Sequence, residues 1–79
     1  MTDEPTFEIA RAWQAGETGC GVLITGIKRE IGRIEPGERL EVTALDAGAR
    51  VDIPAWCRMT GHRLVVANHP TYVIERKDG

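Results

Sequence analysis

The 79-residue sequence carries almost no excess charge, only two cysteines and no apolar run of membrane-spanning length. Ten Lys and Arg against twelve Asp and Glu leave a formal net charge of −2 and a pI near 5.6. No electrostatic footprint for nucleic acid is present, so no stable nucleic-acid binding is expected. Residues Met1 to Pro5 are polar and acidic, unlike a secretory signal, and together with the short apolar runs they place the expected protein in the cytoplasm, off the membrane. Cys20 and Cys57, even with His62 and His69, fall short of the tightly spaced four-ligand frameworks of structural zinc, so no metal and no cofactor is expected. In that compartment the two thiols are expected reduced, with a disulfide as the open alternative. Also missing are a Ser/His/Asp order, a glycine-rich phosphate loop and paired catalytic carboxylates. The length allows one domain, residues 1–79, with 1–6 as a disordered leader and 77–79 as a flexible tail. A chain this short buries only about 60% of its unfolded surface and has little room for an enclosed active site. It is expected to act through its surface.

What is present centres on Thr18-Gly19-Cys20-Gly21-Val22-Leu23. Leu23, Ile27, Ile31 and Ile34 recur at spacings of four, four and three, which is one face of a helix running from about Gly21 to Ile34. Cys20 then lies at the helix start, where unpaired N–H groups and the positive dipole end favour a thiolate. Gly19, Gly21 and Val22 are the candidate anion site around it, since the two glycines bring no side chains to cover the sulfur. The bland alternative, a small buried hydrophobe, stays open for Cys20. The same helix carries Lys28, Arg29, Glu30 and Arg33 on its expected outward face. The basic members, Lys28, Arg29 and Arg33, form a solvated face or a candidate docking group for an acidic partner. Gly26 and Gly32 each cost roughly 1 kcal/mol inside a helix, which suggests close packing against a neighbour.

Elsewhere the periodicities alternate between helix and strand. Phe7 to Ala15 fits a helix by propensity and a strand by alternation. Pro36-Gly37 turns the chain into Arg39 to Ala44, where Leu40, Val42 and Ala44 mark a half-buried strand. Asp46-Ala47-Gly48 reads as a turn and cap before a helix from Ala49 to Thr60, whose Ala49, Ile53, Trp56, Cys57 and Thr60 share one side. Pro54 should break or kink this helix unless Asp52 caps a fresh turn there. Gly61 is a C-terminal stop. Arg63 to Ala67 and Thr71 to Arg76 form a hairpin through Asn68-His69-Pro70. Cys57 is read as a packing residue, His62 as a turn or core residue and His69 as solvated. The order gives a two-layer α/β sandwich, β-α-β-α-β-β, with a mixed four-stranded sheet and two helices on one face.

Pro36-Gly37-Glu38-Arg39-Leu40-Glu41-Val42, Asp52-Ile53-Pro54-Ala55-Trp56-Cys57-Arg58 and Thr60-Gly61-His62 resemble the TusA/SirA family of small sulfur-carrier proteins. The likeness runs from about Cys20 to Arg76 and is most specific in the second helix. Family members place a cysteine in Cys-Pro-x-Pro sixteen residues before the proline of the Pro-Gly-Glu turn, the spacing that Cys20 and Pro36 keep. The resemblance implies that Phe7 to Ala15 is a strand. It also implies that Cys20 takes sulfur as a persulfide from a cysteine desulfurase or rhodanese-like donor. The sulfur then passes to an acceptor in tRNA thiolation, cofactor synthesis or sulfur oxidation. Here Gly21 and Leu23 replace both motif prolines, and Trp13 to Thr18 replaces the usual Leu-Asp-x-Arg-Gly-Leu approach. Whether sulfurtransferase activity survives that change, or a non-catalytic interaction module of the same fold remains, is left open by the sequence. Gly21→Pro is expected to be tolerated or mildly stabilising.

Overall fold

The computed structural model describes residues 9–78, with Cys20 described through its backbone. Six elements follow in the expected order: β1 (Ile9–Gly16), α1 (Cys20–Ile31), β2 (Arg39–Ala44), α2 (Ala49–Thr60), β3 (Arg63–Asn68) and β4 (Thr71–Glu75). The sheet order is β1-β2-β4-β3, with β1 and β2 parallel and β4 antiparallel to both neighbours. The parallel pair needs a crossover, which α1 supplies, and α2 makes the second crossover from β2 to the far edge. The expected leader, and Phe7 and Glu8 of the expected first strand, lie outside the described residues.

Alternation decides which sheet face is covered. Leu40, Val42 and Ala44 of β2 and Tyr72 and Ile74 of β4 are buried and lie in register, Leu40 opposite Ile74 and Val42 opposite Tyr72. Onto them pack Leu23, Ile27 and Ile31 from α1 and Ala49, Ile53, Trp56 and Cys57 from α2, forming one core. The predicted helix and strand stripes are therefore two sides of a single contact.

Four expectations change. Helix α1 ends at Ile31 with Gly32 as its cap, three residues short of Ile34. Ile34 is still buried because the following turn folds back, and Arg76 donates to the carbonyls of Ile31 and Ile34. Gly32 therefore needs no close neighbour, whereas at Gly26 a methyl group would run into the Trp13 ring of β1. Glu30 is not on the outward face but 5% exposed, clamped between Arg11 of β1 and Arg29. Helix α2 runs unbroken through Pro54, and the Asp52 N–H bonds the Gly48 carbonyl at 2.9 Å, so Asp52 lies inside the first turn and caps nothing new. The proline removes only the donor to Arg50, an exposed residue whose carbonyl water can reach. Gly61, at φ 88°, ends α2 in the left-handed conformation that suits glycine.

Candidate functional site

Helix α1 starts one residue earlier than the apolar period suggested, so Cys20 is its first residue. Gly19 is the cap, with extended backbone, and its carbonyl accepts the Leu23 N–H at 2.8 Å. That is the first intrahelical bond. The N–H groups of Cys20, Gly21 and Val22 precede it and have no intrahelical acceptor. No side chain caps this end, and its first turn holds no acidic residue. Gly19 and Gly21 are exposed, with open space where a Cβ would stand, and Val22 is 68% exposed. Three donors and the positive end of a twelve-residue helix are thus left to an anion.

The sheet gathers other loops around this end. The Leu45 N–H bonds the Gly16 carbonyl at 2.7 Å, and the Ala44 N–H bonds the Pro70 carbonyl at 2.8 Å. The ends of β1 and β2, the β3–β4 turn and the starts of both helices therefore share one end of the molecule. Leu45, in the β2–α2 loop, and Val51, in the first turn of α2, stand exposed there with Val22. Val22 was read only as part of the anion site, and Leu45 and Val51 went unread in the sequence, although Val51 falls off the Ala49-Ile53-Trp56 stripe and so had no core position to fill.

The basic docking candidates are placed apart from Cys20. Lys28 comes eight residues later, about 12 Å along the axis, and Arg33 lies beyond the helix. Lys28 and Arg29 sit in the last turn, where cations complement the negative dipole end. Arg29 lies 5.6 Å over the Trp13 ring and donates to Glu30 at 3.2 Å. The Arg11 hydrogen bond holds the Glu30 carboxyl below its ordinary range, against the opposing effect of burial, with Arg29 adding to it. This part of α1 is a latch onto β1.

Cys57 is 3% exposed, and burial pushes its thiol up to about 11, as befits a packing residue. His62 stacks on Trp56 with centroids 5.1 Å apart and accepts the Lys77 N–H at Nδ1. Burial first, then Lys77 and Arg76, hold it below the usual histidine range. His69 is not freely solvated, because its Nδ1 lies 2.6 Å from the Tyr72 hydroxyl.

A family model for the sulfurtransferase TusA matches residues 15–76, from the last two residues of β1 to just past the end of β4. The chain belongs to the TusA family. A protein of Neisseria meningitidis serogroup A is 36% identical over 62 residues, covering 73% of this chain and 84% of its own. YrkI of Bacillus subtilis is 39% identical over 46 residues, 58% of this chain and 61% of its own. Each bears the name "Putative sulfur carrier protein". Among the described residues, no helix is long and apolar enough to cross a membrane.

Proposed function

We propose that this TusA-family protein is a sulfur carrier that holds sulfur as a persulfide on Cys20. The observation that carries the reading is the position of Cys20 as first residue of α1, at a helix end with no acidic residue in its first turn and no side-chain cap. A thiolate there is favoured by the unpaired N–H groups and the helix dipole, and so is the persulfide anion that replaces it. Cys57, buried and with its thiol raised to about 11, is a poor competitor.

In the transfer, the Cys20 thiolate attacks the terminal sulfur of a donor persulfide. A new S–S bond forms at Cys20 while the donor S–S bond breaks, and the donor leaves as its thiolate. No electrons are gained or lost overall, so no redox cofactor is required. Delivery runs the same exchange towards an acceptor. A cysteine desulfurase or rhodanese-like protein serves as donor, and the acceptor belongs to tRNA thiolation, cofactor synthesis or sulfur oxidation. The exposed Val22, Leu45 and Val51 offer both partners an apolar footing around the cysteine. The setting is cytoplasmic, where the thiol stays reduced.

The test is to incubate the protein with a desulfurase and cysteine, then weigh it. One added sulfur mass, absent in Cys20→Ser, is the expected result. No gain with either a desulfurase or a rhodanese-like donor, or a gain retained in Cys20→Ser, overturns the reading.

A further inference from the structure

A second polar site lies at the β3–β4 turn, on chain that the persulfide chemistry does not use. A depression there is lined by Arg50 from the first turn of α2, Ala67 and Asn68 from the end of β3, His69 from the turn, and Tyr72 from β4. Among the described residues that line it there is no carboxylate. Asp46, in the neighbouring loop, is engaged elsewhere, accepting the Gly48 N–H at 2.9 Å.

Tyr72 is 1% exposed, and a buried hydroxyl needs an acceptor for its proton. His69 Nδ1, 2.6 Å away, is that acceptor. Burial raises the Tyr72 phenol above its ordinary range, with Arg50 opposing, which keeps the hydroxyl a donor at neutral pH. With Nδ1 accepting the hydroxyl proton, the ring N–H lies on Nε2, on the opposite side of the ring from Tyr72. Tyr72 thereby turns His69 into an oriented donor. Arg50 is exposed and adds a permanently charged fork of donors, and Asn68 adds an amide.

We propose that this depression binds a tetrahedral oxyanion of the phosphate class, with Arg50 supplying the charge, His69 and Asn68 supplying further N–H donors, and Tyr72 positioning His69. Donors arriving from a helix, a strand end and a turn suit a tetrahedral anion better than a planar carboxylate, which the fork of one arginine satisfies by itself. None of the depression's lining residues is assigned to the persulfide chemistry.

Titration of the full-length protein with inorganic phosphate or phenyl phosphate, at ionic strength held constant with chloride, tests it by NMR. Saturable shifts of the Asn68 and His69 signals are expected with at least one of the two, and tighter binding of one tells a free anion from a phosphoryl substituent. Arg50→Gln should weaken the binding about tenfold, the loss of one charge-assisted contact. Tyr72→Phe keeps the ring and should abolish the single-tautomer signature of the His69 nitrogens. Cys20→Ser should bind as the parent does. Non-saturating shifts with both probes, shifts undiminished in Arg50→Gln, or an unchanged His69 tautomer in Tyr72→Phe would overturn the proposal.

Discussion

The two helices have the same length and the same glycine cap without a side-chain bond, yet their starts are built differently. At α2 the Asp46 carboxylate takes the Gly48 N–H, Asp52 sits in the first turn, and the Ala49, Arg50 and Val51 N–H groups bond the carbonyls of Asp46, Ala47 and Gly48. Its positive end is already answered by protein. At α1 the first turn has no acid, and the nearest carboxylate in sequence is the exposed Glu17 of the preceding loop. Among the described residues, the helix end that carries the cysteine is the one left unanswered. That asymmetry, more than the presence of a thiol, is what fits α1 to hold a sulfur anion.

Restoring the family's second proline attacks the α1 start hardest. Leu23→Pro deletes the bond to the Gly19 carbonyl and a fully buried side chain, so unfolding in urea should show a loss above about 3 kcal/mol. The next effect concerns the latch that holds α1 against β1. Glu30→Gln should cost about 2 kcal/mol at neutral pH, as expected for hydrogen bonds to a charged group. Because the Glu30 carboxyl is held below its ordinary range when folded, its contribution is present above the unfolded carboxylate pKa and disappears as the pH falls through the folded value. Stability measured against pH should therefore converge between parent and variant in acid.

Copying the α2 design onto α1 separates stability from reactivity. Gly21→Asp has open space for its side chain and places a carboxylate in the first turn. It should stabilise the helix by about 0.5 kcal/mol while disfavouring a thiolate at Cys20, slowing alkylation at neutral pH about threefold. The converse, Asp52→Asn, should destabilise by roughly 0.3–1 kcal/mol in a thermal melt without changing alkylation of Cys20. Gly21→Pro comes last because its two effects oppose. It removes glycine's unfolded-state freedom but, because a proline disfavours helical backbone at the residue before it, pushes Cys20 out to the cap. The two effects oppose, and the net change should stay within about 1 kcal/mol by denaturant titration.

Much of this was legible because it is local. Leu40-Val42-Ala44 alternates, Ala49-Ile53-Trp56-Cys57 repeats helically, and β2 and α2 have the bounds those patterns suggest. The position of Cys20 at a helix start follows from the glycines before an apolar stripe. Glu30 was illegible for the opposite reason. A glutamate beside three basic residues reads as solvated, and only β1, nineteen residues earlier at Arg11, brings the guanidinium that makes its burial tolerable. His69 was misread likewise, since Tyr72 becomes its partner only when the hairpin closes.

By itself, then, the sequence determined the elements, their buried stripes, the family and the thiol at the start of α1, all consequences of spacing along the chain. Tertiary structure decided which groups answer one another: Arg11 with Glu30 and Tyr72 with His69. It also brought both helix starts to one end, because each helix follows one strand of the parallel pair β1 and β2 and leaves it at the same C-terminal end. That topology puts the exposed Leu45 and Val51 at the end of the molecule where α1 starts, and no spacing along the chain specifies it.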